Sequence, residues 1–447
     1  MRLAAIKAFL DFERGQQLRE APPASLADAP GRPLYAQLLR GLVRHKRFLE
    51  AEVARLAKGD AKRLDRVVVS VAMLGLLQLR WLSGVPPHAA VYETVALAAR
   101  LGYARAKGWV NGVLRAAQRE IEQGGIWGGA GEAGAVPLAV RTSHPDWMVE
   151  RWRARFGDAG CEAICEANNR FTGITLRVEP GGEAREAAIA ALAAEGIAAA
   201  PHGRWAGAIT CERGAALLQS AAFREGRLYV QDTSSQLLSA WTAPLWQGTV
   251  LDACAAPGGK LTHLMRLAPR ARLIAAEPHA TRLALVRENL RRLKHDVPAP
   301  LKAMLIADAA RPPFRPASLD AVLLDVPCLS TGMIRKYPEI KWRKRAEDLG
   351  ALTAAQAALL DGVADLLRPG GYLLYSTCSL EPEENEGQVA AFLRRHPAFA
   401  RVSFASLRPP EGFTGDPAGL MSAEGDFQTL PNDAWMGLYG ALLRKNA

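Results

Sequence analysis

Apolar residues recur at helical intervals through the first quarter of the chain. Residues 65–82 are apolar on most faces, which suits a buried central helix, and residues 88–104 follow Pro86 and Pro87, a typical helix start. Residues 34–58 place apolar side chains at helical spacings, at Leu38, Leu39, Leu42, Val43, Leu49 and Val53. The pattern therefore predicts an all-α domain over residues 1–123.

Two changes of pattern follow this helical region. Residues 124–137 are rich in glycine and non-periodic, so we place a linker at residues 124–140. Residues 141–245 then mix two periodicities. They predict helices over 144–157 and 183–196 and strands over 174–180 and 196–200. We expect a small α/β module there, with an accessory or RNA-binding role.

From residue 246 to residue 447 strands and helices alternate. The predicted strands cover residues 248–254, 272–277, 302–308, 320–325 and 372–377, and predicted helices include 280–294 and 353–367. Apolar strands that alternate with helices are typical of a doubly wound parallel sheet. Ligands of such sheets bind beyond the carboxyl ends of the strands, so the residues that follow each strand are the candidates for a site.

Acidic residues end three successive strands of the predicted sheet, at Asp252, Glu277 and Asp308. The first is followed by a loop with two glycines, whose members are Cys254, Ala255, Ala256, Pro257, Gly258, Gly259 and Lys260. The loop has neither the dinucleotide fingerprint nor the phosphate-binding Lys-Ser/Thr motif. Carboxylates suit ribose hydroxyls, so this arrangement favours a nucleoside ligand without phosphates. The alternative is that the acids only cap helices.

Cysteines follow the last two predicted strands. Cys328 stands in Asp325-Val-Pro-Cys, and Cys378 stands in Ser-Thr-Cys-Ser. Both would face one crevice at the carboxyl ends of the strands. A cysteine can also be a small buried apolar residue, which is our expectation for Cys161, Cys165, Cys211 and Cys254.

Residues 335–345 follow Cys328 and hold six basic residues, one acid and two aromatic residues. The basic side chains could contact RNA phosphates while Tyr337 or Trp342 stacks on bases. The alternative is an ordinary solvated basic loop.

Composition narrows the class of protein. The 447 residues allow about two to four domains, with 49% hydrophobic and 23% charged residues. Six cysteines form no disulfide framework, and Cys161 and Cys165 lack the partners of a zinc site. We expect a reduced, cytoplasmic setting with no metal. No apolar run approaches the roughly 18 residues of a membrane span, so no membrane partner is expected.

Charge is concentrated at one end of the chain. The net charge is +11, and residues 1–125 carry 20 Lys and Arg against 11 Asp and Glu, a net +9. Such a basic domain indicates a polyanionic partner, most simply nucleic acid. A merely soluble basic domain remains an alternative at this point.

These motifs in combination resemble a known family. Residues 250–260, 325–328, 376–379 and 230–236 resemble the S-adenosylmethionine-dependent RNA 5-methylcytosine methyltransferases. Residues 38–44, 74–98 and 108–118 resemble NusB, a helical RNA-binding protein. The pairing of the two is similar to the RsmB-type 16S ribosomal RNA cytosine-C5 methyltransferases. The resemblance implies a Rossmann-like class I methyltransferase domain, S-adenosylmethionine as cofactor, S-adenosylhomocysteine as product and ribosomal RNA as partner.

The resemblance also implies roles for single residues. Residues 254–260 would form the cofactor loop, Glu277 would hold the ribose, and Asp308 would lie near the adenine. Asp325 would lie between cofactor and target base, Cys378 would attack C6 of the cytosine, and Cys328 would assist release. The chain departs from the family pattern at Leu329 and Ser330, at residues 436–439, and at Glu277, where many members have Asp.

Three alternatives remain open from the sequence. As in DNA cytosine methyltransferases, Cys328 could attack and Cys378 could be structural. The substrate could be another RNA, such as a tRNA. The chain could also be a non-catalytic RNA-binding assembly factor. We expect a monomer.

Overall fold

The computed structural model describes residues 1–19, 21–26, 31–57, 64–124, 136–170, 173–179, 183–211, 214–293 and 301–446. The chain forms two compact units. One comprises Met1–Asn169 and Tyr337–Arg343, and the other comprises Arg170–Lys336 and Lys344–Ala447. No helix in the described ranges combines the length and apolar character needed to cross a bilayer.

The first unit is helical, as predicted. Its helices, numbered along the chain, are α1 (Arg2–Glu13), α2 (Arg32–Arg44), α3 (Lys46–Leu56), α4 (Arg66–Trp81), α5 (Pro87–Arg100), α6 (Lys107–Glu122), α7 (Leu138–Arg141) and α8 (Asp146–Asn169). Every residue of α4 from Val68 to Gln78 is buried, which confirms a central helix. A Cβ at Gly75 would lie 2.5 Å from Leu114 of α6, so glycine permits the close approach of these two helices.

The helical pattern over residues 34–58 corresponds to two helices. It divides at His45 into α2 and α3, and its last residue, Lys58, lies outside the described residues. The His45 ring stacks on Trp81, with 4.1 Å between centroids. Most of the predicted linker, residues 125–135, also lies outside the described part, and α7 begins within its last residues.

The segment Tyr337–Arg343, which contains α15 (Ile340–Arg343), belongs to the helical unit. Lys341 is buried, and its Nζ contacts the Arg44 carbonyl at 3.2 Å, the Ser143 carbonyl at 3.0 Å and Asn169 Oδ1 at 2.7 Å. The Trp342 indole donates to the Val43 carbonyl at 2.7 Å. The interpretation as a solvated loop is therefore wrong for the buried Lys341, whereas base stacking by Tyr337 or Trp342 stays a prediction.

The small α/β module opens the second unit. Its elements are β1 (Ile174–Val178), α9 (Glu183–Ala194), β2 (Ala199–Pro201), β3 (Ala208–Cys211), α10 (Gly214–Leu217), α11 (Ala221–Arg224) and β4 (Leu228–Val230). The strands form an antiparallel sheet in the order β2-β3-β1-β4. Alternate residues of β1, such as Leu176 and Val178, face an apolar core beneath α9.

The larger sheet carries the doubly wound fold. Its elements are α12 (Thr233–Thr242), β5 (Thr249–Asp252), α13 (Gly259–Leu267), β6 (Arg272–Ala276), α14 (Ala280–Arg292), β7 (Leu301–Leu305), β8 (Leu319–Asp325), α16 (Asp348–Ala364), β9 (Leu367–Thr377), α17 (Glu386–Arg395), β10 (Phe399–Val402), β11 (Phe427–Thr429) and β12 (Leu438–Lys445). The strand order is β7-β6-β5-β8-β9-β12-β10. Strands β5 to β9 are parallel, as predicted, whereas β10, β11 and β12 pair antiparallel. These last three strands were not predicted.

The order reverses on either side of β5, which places the switch point of the sheet between β5 and β8. Successive residues of both strands face opposite cores. Val250 and Leu323 contact one apolar cluster, and Leu251 and Val322 contact another. Both faces of the sheet are thus covered by apolar side chains. The positions where a ligand could bind lie at the carboxyl ends of its strands.

Candidate active site

A cavity of about 230 Å³ lies at the switch point. Strands β5, β8 and β9 deliver Asp252, Asp325 and Cys378 to its wall, because each residue ends or directly follows its strand. The complete lining is Tyr229, Val230, Gln231, Asp232, Ser235, Asp252, Cys254, Ala255, Ala256, Pro257, Gly259, Lys260, Asp325, Val326, Met333, Lys336, Cys378, Gly437 and Leu438. Four candidate residues are not part of this wall: Gly258, Glu277, Asp308 and Cys328.

The loop between β5 and α13 is held by contacts to its backbone. Gly258 has φ +103°, a left-handed conformation that favours glycine. Arg282 donates to the Ala256 carbonyl at 3.2 Å, and Asn289 donates to the Pro257 carbonyl at 3.0 Å. These bonds fix the loop so that its other side faces the cavity.

Arg177 of β1 supports the same loop and was not predicted from the sequence. Its buried guanidinium donates to the Gly259 carbonyl at 2.8 Å, to Gln231 Oε1 at 2.7 Å and to Thr262 Oγ1 at 3.0 Å. The guanidinium also lies 4.8 Å from the centroid of the Tyr229 ring. Gln231 and Tyr229 line the cavity, so Arg177 joins the small module to the wall of the site.

Two buried carboxylates carry oxygens without partners. Both oxygens of Asp252, and Oε2 of Glu277, meet no hydrogen-bond partner among the described residues. Burial, followed by repulsion from Asp325, raises the pKa of Asp252 to about 7, while Lys260 and the Cys254 amide oppose this rise. The other oxygen of Glu277 accepts from Arg282 at 3.1 Å and from the His279 amide at 3.3 Å. Such oxygens fit a ligand that brings hydroxyl donors or positive charge.

Asp308 does not lie where the sequence placed it. Strand β7 ends at Leu305, so Asp308 follows three residues later, and its side chain is exposed. Its Oδ1 accepts from the Ala310 amide at 2.9 Å, a local turn contact. The prediction that acids end three successive strands is therefore wrong for Asp308, and among the described residues no helix directly follows for it to cap.

A charged pair stands between the loop and the cysteines. Lys260 Nζ lies 2.6 Å from Asp325 Oδ2, and Ser376 Oγ donates to Asp325 Oδ1 at 2.7 Å. The Asp325 side chain is 38% exposed, so its carboxylate is open to the cavity although both oxygens have partners. Lys260 thereby neutralises a carboxylate that would otherwise repel a neighbouring thiolate.

The two candidate cysteines are in contact. Cys328 Sγ and Cys378 Sγ are 3.5 Å apart, and Cys328 is also 3.7 Å from Ser330 Oγ. The hydrogen bond from Cys328 lowers the pKa of Cys378, helped by Ser330 and Lys260 and opposed by burial. The same bond and burial raise the pKa of Cys328 well above its ordinary value. Cys378, which lines the cavity and has the lowered pKa, is therefore the candidate nucleophile of the pair, with Cys328 as its hydrogen-bond partner.

The remaining cysteines are not arranged for chemistry. Cys161, Cys165 and Cys211 are buried, which agrees with their interpretation as small apolar residues. Cys254 lines the cavity and is partly exposed, but burial raises the pKa of its thiol far above neutrality. It therefore offers the cavity a neutral surface.

Comparisons with known proteins show which families and proteins this chain is similar to. The model of the 16S rRNA methyltransferase RsmB/F family matches residues 240–435, the NusB family matches residues 1–119, and the ferredoxin-like domain of RsmF/B-like methyltransferases matches residues 144–217. The chain is similar to ribosomal RNA small subunit methyltransferase B of Vibrio cholerae, with 35% identity over 100% of this chain and 97% of the relative. It is also 36% identical to the Erwinia tasmaniensis protein of that name, over 89% and 90%.

The fold has solved counterparts. A methyltransferase homologue from Pyrococcus horikoshii superposes with a TM-score of 0.54 and 23% identity, covering 69% of this chain and 97% of its own. The matches to the NusB and RsmB/F families, together with this fold, confirm the helical first domain and the Rossmann-like second domain predicted from the sequence. The 35% identity to the Vibrio cholerae protein over the whole chain shows the family. The chain belongs to the RsmB/F family of 16S ribosomal RNA methyltransferases.

Proposed function

We propose that the protein methylates C5 of a cytosine in 16S ribosomal RNA, with S-adenosylmethionine as methyl donor and Cys378 as covalent nucleophile. The observation that carries this proposal is the pair of thiols, 3.5 Å apart, of which Cys378 lines the cavity and has the lowered pKa. Cytosine C5 is a weak nucleophile, and addition of a thiolate at C6 gives it enamine character. A donor thiol beside the attacking one serves this chemistry.

The cofactor half of the cavity is assigned by its chemistry. S-adenosylmethionine supplies an electrophilic methyl group when it is bound. The unpartnered oxygens of Asp252 and Glu277 suit its cationic and hydroxyl groups, and residues 254–260 are the loop that would lie against it. Asp308, being exposed and turned into its own loop, has weaker support as an adenine contact.

Three residues of the chain, Cys378, Asp325 and Cys328, have roles in the proposed reaction. The Cys378 thiolate adds to C6, which shifts the electrons of the C5–C6 double bond toward C4 and N3, and we expect the Asp325 carboxylate to accept from the amino group of the base. After C5 has taken the methyl group, the C5 proton leaves to water with the assistance of Cys328. The electrons of the C5–H bond then form the C5–C6 double bond, the C6–S bond breaks, and Cys378 leaves as a thiolate. The target base must be unstacked to reach the cavity, so we expect a loop or opened helix.

The test separates the two cysteines. Cys378→Ala should abolish methyl transfer and form no covalent adduct with 16S RNA. Cys328→Ala should still attack and transfer, and then accumulate a protein–RNA adduct that survives denaturing electrophoresis. The double variant, which has neither thiol, should form none.

The alternatives give other patterns in the same experiment. If Cys328 were the nucleophile, the adduct would accumulate in Cys378→Ala and be absent in Cys328→Ala. Transfer of label to tRNA and not to 16S RNA would overturn the substrate, and a wild type without any methyl transfer would indicate a non-catalytic assembly factor. The raised pKa of Cys328 and the lowered pKa of Cys378 favour the assignment proposed here.

A further inference from the structure

Two consecutive buried residues, Glu384 and Asn385, contact the loops that carry the two cysteines. Both side chains are fully buried, and the residues directly precede α17. Neither was singled out by the sequence, because an acid and an amide before a helix are commonly helix caps. Their contacts in the structure are with the cysteine loops instead.

Glu384 holds the loop that carries Cys328. Its two carboxylate oxygens accept from the Leu329 amide at 3.1 and 3.2 Å. Gln356 Nε2 donates to Glu384 Oε1 at 2.8 Å and to the Pro327 carbonyl at 2.9 Å. The backbone is therefore fixed on both sides of Cys328, directly at Leu329 and through Gln356 at Pro327.

Asn385 holds the loop that carries Cys378. Thr377 Oγ1 donates to Asn385 Oδ1 at 2.5 Å, and Asn385 Nδ2 donates to the Ser379 carbonyl at 2.9 Å. Asn385 occupies the N-cap position of α17, but its side chain makes no capping bond to that helix. A side chain that could cap the helix is instead committed to the residues on either side of Cys378.

The charge of Glu384 acts on one cysteine of the pair. Burial raises the pKa of Glu384, while hydrogen bonds from Ser379, Gln356 and the Leu329 amide stabilise its charged form. After the contact with Cys378 and burial, the Glu384 carboxylate is a further cause of the raised pKa of Cys328. Its charge thus helps to keep the proton on Cys328, the partner that donates to Cys378.

We infer that Glu384 is a positioning residue for Cys328 in release, and that Asn385 is a positioning residue for Cys378 in attack. The inference rests on the proposed function, since it assigns the two residues to the two steps of that reaction. It predicts opposite phenotypes for substitutions at neighbouring positions. A merely structural contribution of this segment would give the same phenotype at both.

The experiment measures methyl transfer and covalent adduct together on 16S RNA. Glu384→Ala leaves the buried Leu329 amide without its acceptor, so it should transfer methyl groups in the first turnover and then accumulate adduct several-fold above the wild type. Asn385→Ala releases the Thr377–Ser379 backbone, so it should slow the first turnover by about tenfold or more and form less adduct than the wild type. Glu384→Gln keeps one oxygen for the Leu329 amide and should restore much of the release.

Gln388→Ala is the matched control. Gln388 is a buried amide on α17 whose Nε2 donates to the Thr353 carbonyl at 2.7 Å and to Gln356 Oε1 at 3.5 Å, and it has no hydrogen bond to either cysteine loop among the described contacts. It should behave as the wild type in both measurements. Cofactor binding by calorimetry should be retained in each variant, because neither Glu384 nor Asn385 lines the cavity. If Glu384→Ala fails to fold, Gln356→Ala carries the test, because it removes the donor to the Pro327 carbonyl and should also accumulate adduct above the wild type.

The outcomes separate this inference from the proposed function. If Cys328→Ala traps no adduct, or Cys378→Ala still traps one, the proposed function fails. If both cysteine variants behave as proposed while Glu384→Ala and Asn385→Ala show the same phenotype, only the positioning roles are overturned. An effect of Gln388→Ala equal to theirs would also overturn them.

Discussion

Asp252 shows what burial does to a single group at this site. Its side chain is 2% exposed at the end of β5, and burial together with the Asp325 charge brings its pKa to about 7. The carboxyl is then half protonated at neutral pH in the free protein. A cationic ligand stabilises the charged form, so binding and deprotonation are linked.

This linkage predicts a pH-dependent affinity for S-adenosylmethionine. Because the raised pKa favours the neutral acid below pH 7, affinity of the wild type should fall as the pH drops from 8 to 6, by at most about tenfold per unit. Asp252→Asn should bind more weakly at pH 8 and show little pH dependence. Calorimetry at three pH values measures both effects.

Glu277→Ala provides the comparison for that experiment. It should weaken binding markedly at every pH, because it removes an oxygen without a partner but leaves Asp252 to titrate. A pH dependence that persists in Asp252→Asn would assign the titration to another group. Affinity equal to the wild type in Glu277→Ala would remove Glu277 from the site.

At the scale of residues, the sequence indicates groups that stand in local motifs. Asp252, Asp325 and Cys378 could be proposed because each follows an apolar strand, and Gly258 because a turn between strand and helix needs its conformation. Arg177 and Glu384 could not, since their partners lie up to 82 residues away in the chain. Asn385 could not either, because an amide before a helix is expected to cap it, although its partners lie 6 and 8 residues away. Charged residues in a sequence indicate solvent unless their burial is known.

At the scale of elements, the segment Tyr337–Arg343 is another case in which the sequence does not reveal burial. Its basic composition predicts exposure, yet Lys341 and Trp342 donate to carbonyls at the C-terminal end of α2. Those carbonyls have no partner within their own helix, and an ammonium at this end also suits the helix dipole. The three oxygens around Lys341 Nζ match its three N–H donors, so they favour the charged form although burial lowers its pKa.

We therefore expect Lys341→Met to destabilise α2 and its surroundings. Removing the ammonium leaves three oxygens without a donor, a cost on the order of 3 kcal/mol. Hydrogen exchange of the peptides that cover Arg32–Arg44 should accelerate accordingly, whereas Arg345→Ala, an exposed neighbour, should leave it unchanged. Unchanged protection in Lys341→Met would mean that the amine contributes no net stability.

Element boundaries followed tertiary contacts more than periodicity. The apolar pattern over residues 34–58 continues through His45, where α2 and α3 divide. His45 stacks there on Trp81, a contact that is distant in sequence. Strands β10 and β11 have four and three residues, too few for a pattern of alternation to be recognised. The long parallel strands, buried on both faces, could be predicted because they are continuous apolar runs.

At the scale of the whole molecule, the compact units differ from the sequence-based division. The predicted module at 141–245 is divided, because residues up to Asn169 belong to the helical unit and those from Arg170 belong with the larger sheet. The Arg177 contact with Gly259 gives the physical reason for the second assignment. A deletion of residues 1–123 would also remove Val43 and Arg44, which accept from Trp342 and Lys341.

Substitution of surface charge is therefore a sharper test of RNA binding than deletion. Arg105 and Lys107 are exposed at the start of α6, in the part of the chain that carries the net charge of +9. If they contact phosphates, Arg105→Ala,Lys107→Ala should weaken 16S RNA binding, and the slope of log affinity against log salt should become shallower by up to about 2.

The control variant is compared with the wild type by the same slope of log RNA affinity against log salt. Arg287→Ala removes an exposed charge on α14 in the other unit and should leave the slope near that of the wild type if RNA docks on the helical unit. Filter binding over a series of KCl concentrations measures all three proteins, and calorimetry with S-adenosylmethionine should show that none has lost its cofactor site. A double variant with the slope of the wild type would show that these two charges do not contact RNA. A shallower slope in Arg287→Ala alone would place the main phosphate contacts on the methyltransferase domain instead. The slope counts the counterions that are released when basic side chains neutralise RNA phosphates, so it falls when a contacting residue is removed.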